Sequence, residues 1–144
     1  MKIYVIHGPN INMLGNRESE HYGTQTLEEL NSSIIKESES LGIEVEIFQF
    51  NSEGDIITKL QEANNYAQGV IINPGAYTHY SIAIRDAIAA ISKPVIEVHI
   101  SNIFNRESFR SHSVIAPVAK GQISGMGFAG YLLALNAFIK TKEG

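Results

Sequence analysis

Two apolar patterns alternate along the chain. Continuous apolar runs at Lys2–His7, Ile43–Phe48, Gly69–Asn73 and Pro94–His99, with a weaker one at Ala119–Ser124, read as strands covered on both faces. Between them apolar residues recur at three- and four-residue spacing. The first helix is expected to begin at Thr26, whose spacing to Glu29 forms a capping box, with Leu27, Leu30, Ile34 and Leu41 on one face. A second runs from about Gly54 to Tyr66, with Ser52 as candidate cap. A third spans about Tyr80 to Ile91 and carries Ile84, Ile88 and Ile91. The last, about Gly127 to Lys140, carries Phe128, Tyr131, Leu132, Leu135 and Phe138.

Strands that alternate with helices in this way predict an α/β fold with right-handed crossovers and helices on both faces of a parallel sheet. Five strands fit a flavodoxin-like three-layer sandwich of order 2-1-3-4-5, whose ligands bind beyond the carboxyl ends of the strands. The 144 residues are expected to form a single catalytic domain, 1–144. The composition is 44% hydrophobic and 18% charged, with no run long enough to span a membrane. Without a signal-peptide pattern at the N-terminus, a cytoplasmic location is the expectation. There is no cysteine, so no thiolate metal site or disulfide is available. A net charge of −4 disfavours a nucleic-acid surface. Positive charge is local instead, at Arg106 and Arg110 with His112 beside them, which suits a small anion.

Candidate chemistry sits at three strand ends. After the first comes a 17-residue connection, Gly8 to Thr24, long enough to be a binding loop or a lid. It holds Asn10, Asn12, Arg17 and Tyr22. A phenol of pKa ~10 is ~0.1% ionised at pH 7, and a guanidinium that lowered it by ~2 units would raise this to ~10% and make it a base. A solvated cation beside a packing aromatic fits the same residues. Asn10 and Asn12 could hold a water or an oxyanion, or serve as turn residues. After the third strand, Asn73-Pro74-Gly75 is a sharp turn, with Thr78 or Ser81 as cap of the next helix. Turn chemistry leaves Asn73 and His79 unexplained. Arg85 and Asp86, on that helix, suit a solvated face or a subunit contact. In the fourth strand Glu97 and His99 share a side, so the carboxylate could orient the imidazole as a general acid, or simply satisfy a buried histidine. The N–H groups of Ile100 and Ser101, with Arg110, could bind a carboxylate.

Other chemistries are poorly served. The lysines avoid all three segments, which disfavours a Schiff base. His7, His79 and His99 have one near carboxylate, Glu97, which makes a poor metal site. Gly125-Met126-Gly127-Phe128-Ala129-Gly130 matches a dinucleotide fingerprint but precedes the last helix, where it more plausibly eases packing. A flavin or signalling module would need a phosphate loop or an acidic cluster after the first strand, and neither is visible.

Four segments in order, GPNINMLGNRESEHYG, NPGAYTHYSIAIRDA, EVHISNIFNRESFRSHS and GQISGMGFAGYLLAL, resemble the type II 3-dehydroquinate dehydratases across essentially the whole chain. Departures are small: Ile11 and Met13 stand where Leu is common, and Tyr80 stands where a smaller residue is usual, at the pocket rim or a subunit contact. The resemblance implies reversible anti-elimination of water from 3-dehydroquinate to 3-dehydroshikimate through an enolate, without cofactor, metal or Schiff base, in aromatic biosynthesis or quinate breakdown. By position, Tyr22 would remove the C2 proton and Arg17 would support its phenolate. His99, held by Glu97, would protonate the departing C1 hydroxyl, and Asn10 would place a water on the enolate oxygen. Asn73, His79, Ile100, Ser101 and Arg110 would bind substrate hydroxyls and carboxylate, with Arg106 adding positive field. The resemblance also implies a dodecamer built from trimers, with Asp86 reaching a neighbouring subunit's site.

Overall fold

The computed structural model describes residues 1–16 and 24–141. Its strands are β1 (Lys2–His7), β2 (Glu44–Gln49), β3 (Gly69–Asn73), β4 (Val95–His99) and β5 (Gly121–Ser124). They form one parallel sheet in the order β2-β1-β3-β4-β5, as the sequence pattern predicts. The longer helices are α1 (Leu27–Leu41), α2 (Glu53–Tyr66), α3 (Ile82–Ala90) and α4 (Ala129–Thr141).

Side-chain alternation along the strands feeds two cores. Ile3, Val5, Ile71, Ile96 and Val98 point to one face, where Leu30 and Ile34 of α1 meet Tyr131, Leu135 and Phe138 of α4. Tyr4, Ile6, Val70, Ile72 and Val95 point to the other, against Ile56 and Leu60 of α2 and Ile84 and Ile88 of α3. Burial on both faces explains the apolar runs of β1, β3 and β4, whereas β2, expected to be covered in the same way, is an edge strand and only partly buried, as is β5.

Local hydrogen bonding sets where the elements start and stop. Thr26, Ser52 and Ser81 cap α1, α2 and α3, their hydroxyls accepting from the N–H groups of Glu29, Asp55 and Ile84. Ile43 was expected to open β2, but its N–H closes α1 on the Ser38 carbonyl at 2.8 Å, with Gly42 at φ 69° making the turn. Similarly, Ala119 was expected in β5, but its N–H bonds to carbonyls of Ile115 and Ala116, and Lys120 makes the first bond towards β4, to Val95. Gly75–His79 form a 3-10 turn, so α3 starts at Ile82 rather than near Tyr80, and Thr78 is not its cap.

Candidate active site

Just past the end of β1, Gly8 lies tight against the end of β3. Its N–H donates to the Asn73 carbonyl at 2.7 Å, and a Cβ there would stand 2.6 Å from that oxygen. Here, at the strand-order reversal, a cleft opens beyond the carboxyl ends of the strands. Asn10, Asn73, His79, His99, Ile100, Ser101, Arg106 and Arg110 all line it. The structure therefore brings together eight of the twelve site residues read from the sequence. Glu97 stands behind His99. Asp86 is exposed on α3 and is not part of this cleft. Arg17 and Tyr22 lie outside the described residues, as does the stretch 17–23 of the proposed lid.

Glu97 has no exposed surface. Its carboxylate accepts from His99 Nε2 at 2.5 Å, from Thr78 Oγ1, and from Ser113 Oγ at 3.1 Å. Ser113 Oγ itself accepts from the N–H groups of Ile115 and Ala116, which aims its own hydrogen at the carboxylate. Burial alone would raise the Glu97 pKa. The hydrogen bond and positive charge of His99, then the Thr78 hydroxyl, outweigh burial and hold it below the ordinary value. An ionised carboxylate has no hydrogen to donate and needs donors on every side, as it finds here. It fixes the His99 ring by Nε2, which leaves Nδ1 as the nitrogen free to serve the cleft.

His79 donates from Nδ1 to the carbonyl of His112 at 2.8 Å. Burial lowers its pKa; that bond opposes the shift, and the nearby His99 and Arg110 charges add to it. His79 is thus a neutral imidazole with Nε2 as an acceptor for a ligand hydroxyl. Arg110 is anchored through Nε to Glu107 at 2.5 Å, and Arg106 donates to Ser101 Oγ at 3.2 Å. With the guanidinium groups held at the rim, the cleft favours an anion. Beyond His99 the chain leaves the sheet, and Ile100 and Ser101 come to the lining. Their turn is held by Gly125 and Gly127, whose N–H groups donate to the carbonyls of His99 and Ile100. The Gly-rich segment therefore supports the site as well as packing α4: a Cβ at Gly130 would press on Val98 at 3.2 Å.

Asn10 sits at φ 70°, and its N–H donates to Asn51 Oδ1 at 3.2 Å. Gln49 Nε2 bonds the same oxygen, the Gly8 carbonyl and Asn12 Oδ1. Gln49, Asn51, Thr78 and Ser113 were not singled out from the sequence as site residues. Each acts through a partner far away in the chain, and local spacing carries no signal for that. His7, considered above as a metal ligand, is fully buried with Nε2 on Asn31 and Nδ1 on Tyr131. Among the described residues no three His, Cys, Asp or Glu side chains converge.

An imidazole clamped by a buried carboxylate, facing fixed donors and two arginines, defines a site for proton transfer on a small oxygenated anion. The family model for class II dehydroquinases matches residues 1–139. The 3-dehydroquinate dehydratase of Pelotomaculum thermopropionicum is 57% identical over 137 residues, covering 95% of each chain. Two solved type II dehydroquinases superpose closely. That of Butyrivibrio crossotus has a TM-score of 0.95 at 53% identity, covering 96% of this chain and 97% of its own. That of Propionibacterium acnes has a TM-score of 0.93 at 43% identity, covering 96% of each. The chain belongs to the class II dehydroquinase family.

Proposed function

We propose that this chain is a single-domain 3-dehydroquinate dehydratase that eliminates water reversibly through an enolate, without a cofactor. The observation that carries the residue assignment is the clamp of His99 Nε2 on the buried Glu97 carboxylate, which aims Nδ1 at the cleft. As imidazolium, His99 donates one N–H to Glu97 and delivers the other proton to the departing C1 hydroxyl. Removal of the C2 proton falls to Tyr22, with Arg17 stabilising its phenolate. The electrons of that C–H bond move towards the ketone, and Asn10 places a water against the developing enolate oxygen. Expulsion of the hydroxyl as water then forms the conjugated enone. Asn73, the Ile100 and Ser101 N–H groups, His79 and Arg110 hold the substrate carboxylate and hydroxyls, and Arg106 adds positive field.

Asp86 is exposed and does not line its own cleft, which fits a reading in which it reaches a neighbouring subunit's site in a trimer-based dodecamer. No helix among the described residues is long and apolar enough to cross a membrane, in keeping with a cytoplasmic enzyme. The decisive experiment follows enone absorbance with 3-dehydroquinate. Wild-type protein turns over, while His99→Asn, Tyr22→Phe and Arg17→Ala each lose about 100-fold or more in kcat with the fold retained. Near-normal turnover in all three variants removes the mechanism, and an inactive wild type removes the function.

A further inference from the structure

A hydrogen-bond chain runs through the sheet core behind the cleft. The Gly75 N–H is 3.1 Å from Asn73 Oδ1, Asn73 Nδ2 is 3.0 Å from Tyr131 Oη, and that oxygen is 3.2 Å from His7 Nδ1. His7 Nε2 is 2.8 Å from Asn31 Oδ1. His7, Asn73 and Tyr131 are all buried. They come from β1, β3 and α4, and Asn31 comes from α1.

The direction of this chain is set by its one backbone member. A peptide N–H only donates, so the Asn73 atom facing Gly75 is the oxygen and the atom facing Tyr131 is the nitrogen. Tyr131 Oη therefore accepts from Asn73, and its own hydrogen goes to His7 Nδ1. That nitrogen is then the bare one, Nε2 carries the hydrogen, and Asn31 accepts it. Reversing any link would leave a buried hydrogen without an acceptor, at high cost in the core. The Asn73 carboxamide has its oxygen and one N–H committed inward. Its second N–H remains for the cleft that Asn73 lines.

We propose that Tyr131, His7 and Asn31 are positioning residues for the reaction. Their one-way chain locks the Asn73 carboxamide so that it offers the substrate a donor, and thereby selects an oxygen acceptor at that point. The inference rests on the reading that the cleft binds 3-dehydroquinate. The Gly75 N–H sets which way round the amide lies, and Tyr131, held in turn by His7 and Asn31, takes the inward N–H and fixes the plane; without that acceptor the amide tilts and its second N–H loses its aim at the substrate.

Two measurements test this. Neutron diffraction from the deuterated wild-type protein locates the hydrogens directly. Deuterium on His7 Nε2, with the Tyr131 hydroxyl aimed at His7 Nδ1, is the expected result; deuterium on Nδ1 overturns the proposal, whatever the variants do. Steady-state kinetics of Tyr131→Phe should show KM raised about tenfold with kcat changed less than about threefold, as expected for loss of one well-placed hydrogen bond to a charged ligand. His7→Gln keeps a donor and an acceptor and should stay nearer wild type than His7→Leu. A Tyr131→Phe enzyme with unchanged KM, or one that loses kcat alone, overturns the proposal. A wild type that leaves 3-dehydroquinate untouched removes the functional reading instead, and the neutron result still decides the chain.

Discussion

His7 makes the folded protein sensitive to acid in a way that can be measured separately from the reaction. It is fully buried, and burial pushes its pKa down from 6.5 to about 4, against a weaker opposing effect from Asn31. Between those values the unfolded chain takes up a proton that the folded protein refuses. Stability is therefore complete above pH 6.5, falls as the pH drops through this window, and has lost the whole contribution below 4. At about 1.4 kcal/mol per pH unit the gap is worth about 3 kcal/mol, of which about 2 are lost between pH 7 and 4.5. Urea unfolding at pH 7 and 4.5, at one fixed protein concentration, reads the loss in wild type and in His7→Gln. Carboxylates and His79 titrate in both proteins and cancel in the comparison. The expected result is a wild-type loss about 2 kcal/mol larger than that of the variant. Equal losses would show that His7 carries a proton in the fold near pH 5, and the argument from burial would fail.

Further predictions rest on single contacts. Glu97→Gln places an amide among three donors, since Thr78, Ser113 and His99 all donate to the carboxylate; kcat should fall about 100-fold by enone assay, and urea unfolding should show a loss of about 2 kcal/mol. Gly8→Ala sets a methyl 2.6 Å from the Asn73 carbonyl oxygen and should cost about 1–3 kcal/mol by calorimetry, with KM raised because Asn73 must shift. Thr26→Ala removes the hydroxyl that accepts from the Glu29 N–H at 3.2 Å and should cost about 1 kcal/mol in urea, since water cannot fully replace a helix cap.

Sequence carried the fold because its two signals are local. Short apolar runs of strand length alternating with helical patterns read as buried strands, and Ser or Thr before the pattern marks where three of the helices begin. The misplaced ends, Ile43, Tyr80 and Ala119, are places where the backbone N–H bonds a nearby turn carbonyl, that of Ser38, Tyr77, or Ile115 and Ala116, instead of opening the next element. Those choices depend on geometry within a few residues, below what periodicity resolves. The site was legible where a polar residue interrupts a strand end, as at Asn73, Glu97 and His99. Tyr131 was read only as core at helical spacing. Its hydroxyl is what carries the Asn73 chain, and nothing near it in sequence says so.

The residues missed and the residues found obey one constraint. A parallel sheet covered on both faces leaves its strand ends as the one place where polar side chains can meet a ligand, yet those same ends adjoin a dry core. A polar group there survives only if the core side supplies partners, and in this topology the partners come from elements far off in sequence. Thus Glu97 on β4 draws on Thr78 and Ser113, while Asn73 on β3 draws on Tyr131, which draws on His7 and Asn31. Each set of partners uses up the inward-facing hydrogen-bonding capacity of its member and fixes the atom left for the cleft: Nδ1 at His99, one N–H at Asn73. The donors behind the site therefore do two things at once: they make burial of a charge and an amide tolerable, and they orient both groups before substrate arrives. On this reasoning, a substitution behind the cleft should shift stability and substrate binding together, whereas one at the half-buried rim, such as Arg110, should shift binding more than stability.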